Sequence, residues 1–265
     1  MRLFEINDEQ IKQFHDDGYL IVPGLFTKKY TDLLITIAKA DQAMSQSEGK
    51  RDAAGGVSHL RLRNDLPHDI YSAFVRSESV IEAAEKILGD EVYHFHHKMM
   101  LKQPRVGGAW EWHQDFGYWY LAQKVLFPDM LSVAIAVDKA TKENGCMQLI
   151  KGSHKCGRLH HGTTGDQTGA NETEVNALLN FYKLPLVYAE LNPGDALFFH
   201  SNTLHRSDAN RSENPRWTLI SCYNTKHNDK YTKGGPHPAY SPLERWPDEK
   251  ILEVGQQQLD GIATK

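Results

Sequence analysis

Residues 193–207 read Pro193-Gly-Asp-Ala-Leu-Phe-Phe-His200-Ser-Asn-Thr-Leu-His205-Arg-Ser207. The Pro-Gly-Asp turn launches a short apolar strand and delivers His205 just beyond its far end. Similar β-prone runs occur at 91–103, 131–138, 146–150, 184–190 and 216–223, punctuated by Gly107-Gly108 and Glu143-Asn144-Gly145. Strong helical periodicity is confined to the residues before Gly89. Asn7 caps a first helix with Gln10 at the capping-box position, and Gly18 ends it. A β-rich run, Tyr19-Leu-Ile-Val22, stops at Pro23-Gly24. Thr27 opens a second helix, where Tyr30, Leu33, Leu34, Ile37 and Ala38 recur at helical spacing to about Met44. A third runs from about Ser77 to Leu88. Helices first and strands afterwards predict one α+β domain built on a sandwich or barrel. Residues 45–69 and 155–183 read as long loops, either of which could close a site. The tail from Asn224, with Pro236, Pro238, Pro242 and Pro247, reads as an extended wrap.

Composition sets the outer limits. The chain has 265 residues with a formal net charge of −4, which gives no electrostatic footprint for nucleic acid or an anionic membrane. Its length and 40% hydrophobic content suit a soluble domain with a large core. Cys146, Cys156 and Cys222 have no paired spacing, so a reducing compartment fits better than a disulfide framework. The N-terminus lacks the apolar core of a signal peptide, and no run approaches a membrane span. A cytoplasmic monomer or homodimer acting on a small molecule is expected.

Fourteen histidines direct attention to metal chemistry, since imidazole is the commonest metal ligand. His-x-Asp occurs as His15/Asp17, His113/Asp115 and His227/Asp229. The first closes a helix, where positions two apart diverge, and the last has only His237 downstream. His113/Asp115 lies between predicted strands, in Trp110-Glu-Trp-His-Gln-Asp-Phe-Gly-Tyr-Trp-Tyr120. On an extended chain these two side chains share a side. With a distant histidine they would complete a 2-His-1-carboxylate facial triad, which leaves coordination sites open on Fe(II). His205 is the expected partner, and His200 competes with it. Arg216, opening the last strand, suits bidentate capture of a carboxylate.

The segments WHQDFGYW (112–119), LSVAIAVDKATKENGCMQLIKGSHK (131–155) and NPGDALFFHSNTLHRSDANRSENPRW (192–217) resemble the phytanoyl-CoA dioxygenase family. DGYLIVPGLF (17–26) matches the family's opening, so the resemblance covers most of residues 10–223. It implies an Fe(II)/2-oxoglutarate oxygenase with a double-stranded β-helix (jelly roll, cupin-like) and N-terminal supporting helices. One domain would span 1–265, with helical support over 1–90, the jelly roll over 91–223 and the tail over 224–265. The resemblance implies His113, Asp115 and His205 as iron ligands and Arg216 as anchor of the 2-oxoglutarate C5 carboxylate, assisted by Ser207. It places His96 and Ser132 near the cosubstrate. Asp115 stands where halogenase relatives carry a small residue, so hydroxylation with O₂, giving succinate and CO₂, or a demethylation or cleavage that follows from it, is favoured over halogenation.

The substrate is less legible. Phe116, Tyr118 and Trp119, with neighbouring aromatics, could cage a cationic group or simply wall the pocket, and Lys98 is a further candidate contact. No basic cluster suits a CoA phosphate, so a small metabolite is expected. Two rival readings are a zinc or manganese cupin-type enzyme using His94, His96 and His97, and a jelly-roll binding module without turnover. Neither a cupin glutamate nor a His-Glu-x-x-His motif supports the first. The intact triad and Arg216 argue against the second.

Overall fold

Strands β6 (Met130–Ala136) and β13 (Arg216–Thr225) are buried along their whole length because each is covered on both sides. Leu131, Val133, Ile135 and Leu219 face a helical layer, whereas Ala134, Ala136, Ile220 and Cys222 face the opposite way, into a barrel. A strand covered on both faces reads as a continuous apolar run rather than an alternating one. Both strands lie at the centre of a seven-stranded sheet in the computed structural model, which describes residues 2–232, 234 and 237–263.

The larger sheet runs β1 (Tyr19–Val22), β11 (Ala196–His200), β6, β13, β4 (Val92–Lys102), β3 (Val57–Arg63) and β2 (Glu48–Arg51). The smaller runs β10 (Leu186–Ala189), β7 (Met147–Ile150), β12 (His205–Ser207) and β5 (Trp110–His113). All of these pairings are antiparallel. Met147, Leu149 and Ala189 of the smaller sheet join Phe95, Leu197 and Phe199 of the larger in one core, forming the expected jelly roll.

Helices α1 (Asp8–Asp17), α2 (Lys28–Ala40), α3 (Gln42–Ser45), α4 (Ile70–Val75) and α5 (Glu78–Leu88) supply the outer layer. Two ends of this layer match their sequence signals. Asn7 and Gln10 form the reciprocal capping box, and Gly18 closes α1 at φ 83°, a left-handed position that glycine takes without strain. A short helix α6 (Asp115–Ala122) follows β5, and α7 (Glu172–Asn176) follows the hairpin β8 (His161–Thr164) and β9 (Gln167–Ala170).

Three expectations need correction. Residues 45–69 are not merely a loop: β2 and β3 extend the larger sheet at its edge. The 155–183 insertion contains the β8–β9 hairpin, whose second strand lies against β5. The tail is not extended throughout, because Glu249–Ala263 forms helix α8, packed on α2 and α4. Gly255 permits this contact, since a Cβ there would stand 2.6 Å from Leu33 Cδ2. Pro236 lies outside the described residues.

Asp248 anchors this helix from its N-terminal side. Its buried carboxylate accepts hydrogen bonds from Ser77 Oγ at 2.5 Å, Ser79 Oγ at 2.5 Å and the Leu3 amide at 2.8 Å. Asp248→Ala removes the acceptor of these bonds and of a longer one from the Ser79 backbone N–H, and is expected to cost about 2–4 kcal/mol. Urea denaturation measures the loss, and limited proteolysis should cut near 249–263 first. An unchanged midpoint would show that the anchor contributes nothing.

Candidate metal and cosubstrate site

The site forms where β5 and β12 pair. His113 and His205 are directly opposite in the antiparallel register, so both rings leave the same face of the smaller sheet. Gln114 keeps an extended backbone (φ −110°, ψ 131°) before α6 begins at Asp115. This extended link returns the Asp115 carboxylate to the side of His113, as the spacing predicts, although the following aromatics are helical. Asp115 Oδ1 lies 3.7 Å from His113 Nε2 and 3.9 Å from His205 Nε2.

The buried Gln114 amide explains why this turn holds. Its Nε2 donates to Gly157 O and Asn202 O, both at 2.8 Å, and its Oε1 accepts from the Leu159 amide at 2.8 Å. One side chain therefore ties β5 to two loops. Gly117 is also required, because a Cβ there would meet the His161 ring at 2.1 Å. That ring cannot move freely, since His161 accepts from the Gln114 backbone N–H and donates to Leu159 O. Sequence reading missed both residues, whose roles depend on segments more than forty positions away.

The donor chemistry suits a cation. His113 Nδ1 donates to Glu111 O at 2.8 Å and His205 Nδ1 donates to Thr203 O at 2.9 Å. Each tautomer is thereby set with the Nε2 lone pair turned toward Asp115. Burial, followed by the charge of His113, pushes the His205 imidazole down to about 3, leaving it neutral. Burial opposes ionisation of Asp115, but Lys98, His113 and His205 outweigh it and hold the carboxyl well below its ordinary range. Ser132 Oγ donates to Asp115 Oδ2 at 2.8 Å, leaving Oδ1 toward the histidines. Among the described residues this trio is the one group whose ligand atoms gather closely enough for a metal.

Arg216 marks the other end of the site. Its guanidinium is buried and donates to Gly145 O and Thr218 Oγ1, with no carboxylate beside it among the described residues. Burial lowers its pKa to about 10, so it stays charged at neutral pH. A buried cation lacking a counter-ion is costly and invites an anion. A narrow slot lined by Ser207, Ile220 and Trp110 connects His113 and His205 to Arg216.

The remaining expected residues divide. Lys98 lines both the slot and a larger neighbouring cavity. His96 lines only that cavity, and Ser132 touches Asp115 and Cys222, so neither stands beside Arg216. Tyr118 and Trp119 line the cavity, whereas Phe116 packs in the barrel core away from it.

Two alternatives are excluded geometrically. His200 packs near His154 and Phe14, on the far side of β11. His94, His96 and His97 do not converge, because β4 bulges at Phe95: His96 opposes Cys222 while His94 opposes Tyr223. His94 and His97 consequently meet each other, 3.1 Å apart, away from the cavity.

This second pair predicts a pH effect. Burial, then Arg63, pushes His97 down to about 4 from an ordinary 6.5. The neutral form is favoured in the folded state, so its contribution to stability is complete above pH 6.5 and disappears as pH falls toward 4. The urea midpoint should fall across that window, and less steeply in His97→Gln. Identical slopes would contradict this assignment.

Comparison with known proteins agrees with the geometry. The family model described as phytanoyl-CoA dioxygenase matches residues 14–218. The L-proline trans-4-hydroxylase of Streptomyces griseoviridis is 28% identical over 188 residues, 66% of this chain and 68% of that enzyme. The methylphosphonate hydroxylase of Gimesia maris is 27% identical over 226 residues, 83% of this chain and 81% of the relative. EctD from S. alaskensis, solved with 2-oxoglutarate and 5-hydroxyectoine, superimposes with a TM-score of 0.74. That match covers 92% of this chain and 89% of the other at 22% identity, and bears on the fold.

Proposed function

The chain belongs to the phytanoyl-CoA dioxygenase family, and from that footing we propose that it is an Fe(II)/2-oxoglutarate-dependent hydroxylase of a small molecule. His113, Asp115 and His205 would hold the iron and Arg216 the far carboxylate of 2-oxoglutarate. The observation carrying this reading is the pairing of three converging metal donors with a buried, carboxylate-free guanidinium along one slot. When bound, Fe(II) and 2-oxoglutarate supply O₂ activation, oxidative decarboxylation to succinate and CO₂, and transfer of one oxygen atom to a C–H bond.

The residues supply binding and orientation. Glu111 and Thr203 carbonyls fix the histidine tautomers, and the Ser132 hydroxyl turns Asp115. Arg216 offers Nη1 and Nη2 while Gly145 and Thr218 keep the guanidinium plane from rotating. Ser207 and Trp110 line the route between these ends, and buried Met147 and Ile220 limit water there. No helix among the described residues is long and apolar enough to cross a membrane, which fits a small polar substrate reached from water.

Anaerobically purified protein given Fe(II), 2-oxoglutarate and air should release succinate even without its primary substrate, slowly, and faster with it. Zn(II) should not replace Fe(II). Well-folded protein that releases no succinate above an Asp115→Ala control would refute the proposal.

A further inference from the structure

The cavity beside the triad has a decided charge preference. It encloses about 370 Å³ against His113 and Asp115, the small end of the range for small-molecule sites. Its other carboxylates are already engaged: Glu48 pairs with Lys50 at 2.6 Å and Asp166 with Arg51 at 2.9 Å. Of its two lysines, Lys50 is engaged by Glu48, whereas Lys98 is not engaged. Lys98 has no hydrogen-bond or ion-pair partner among the described residues, and its charge acts at a distance on Asp115. Once Asp115 serves a metal, the ammonium is left without an anion.

His96 is the second unsatisfied group. It is 2% exposed, and neither ring nitrogen has a partner. The ring cannot turn away, because His237 stacks on it at 4.4 Å and Trp119 meets it edge-on at 5.6 Å. His237 is itself fixed by a 2.5 Å hydrogen bond to Asn64 Oδ1. On the inward face of β4, Lys98 and His96 stand two residues apart and therefore side by side.

We infer that the substrate carries a small oxyanion, a carboxylate or a phosphonate, held by the Lys98 ammonium and one N–H of His96. This deepens the hydroxylase reading and rests on the triad being the iron site. One bound oxyanion satisfies a half-buried charge and a buried donor, and the buried donor is costly to leave unmade. The same arrangement disfavours a quaternary ammonium, which would sit against Lys98, so the aromatic side chains wall the pocket rather than form a cation cage. The cavity volume also excludes most of a CoA thioester.

Trp110 and Trp119 line the cavity, so their fluorescence reports occupancy. Protein held anaerobically with Fe(II) and saturating 2-oxoglutarate is titrated with methylphosphonate, acetate and tetramethylammonium. At least one anion should saturate, the tighter one identifying the headgroup, and tetramethylammonium should not. Lys98→Met should weaken the anion at least tenfold and His96→Phe several-fold, while the visible band of the Fe(II)·2-oxoglutarate complex persists in His96→Phe. Saturation by tetramethylammonium alone would overturn the inference. So would anion binding that is unchanged in both variants. If wild-type protein forms no band, the iron reading fails, and anion saturation in metal-free protein still decides the pocket's charge preference.

Discussion

Asp115→Ala protein folds and loses iron-dependent turnover by about 10³-fold or more. The carboxylate would supply the one negative ligand among the three gathered donors, and Lys98 and both histidines already hold it ionised. Without it, two imidazoles would remain, and several kcal/mol of metal-centred stabilisation would be forfeited. Ser132→Ala removes only the 2.8 Å hydrogen bond to Oδ2. A loss of about 10–100-fold in metal affinity is expected there, typical of groups that orient a ligand. Succinate release at fixed Fe(II), beside circular dichroism of each variant, distinguishes the two. Equal effects at Asp115 and Ser132 would mean that the carboxylate has a structural role only.

Arg216→Met is expected to raise the 2-oxoglutarate KM by roughly 10–100-fold, the worth of a charge-assisted bidentate contact. The stability change should be small by comparison. The variant loses two hydrogen bonds to Gly145 O and one to Thr218, but it also removes a buried cation that has no counter-ion among the described residues. Arg216→Lys should rescue poorly, because an ammonium cannot engage Gly145, Thr218 and a carboxylate together. Initial rates against 2-oxoglutarate, with thermal melts, test this. An unchanged KM would remove Arg216 from the cosubstrate site.

The legibility of the sequence followed from which interactions were local. Strands β6 and β11 were readable from short apolar runs, and α1 from its capping box, because a few adjacent residues decide each. His113 and Asp115 were readable as one face from a period of two, and His205 as a strand-end residue from turn punctuation, whereas the cosubstrate role of Arg216 was reached through the family resemblance. Helix α8 was hidden by its glycines and the prolines before it. Its helicity depends on packing against α2 and α4, where Gly255 is an asset rather than a breaker. Strands β2 and β3 looked like a loop because both carry many polar side chains and are specified by pairing, β3 with β4 and the edge strand β2 with β3. The bulge at Phe95, which separates His94 from His96, has no local signature. The Gln114 amide, the His96–His237 stack and the Asp248 anchor likewise join residues distant in the chain.

The central claim is that one slot holds both iron and 2-oxoglutarate, between the triad and Arg216. Its most direct test is the anaerobic visible spectrum of metal-free protein titrated with Fe(II) and then 2-oxoglutarate. A charge-transfer band should appear only when both are present, vanish in Asp115→Ala, and require about 10–100-fold more cosubstrate in Arg216→Met. Folded wild-type protein that gives no band with both additions, or Asp115→Ala that retains the band unchanged, would contradict the account.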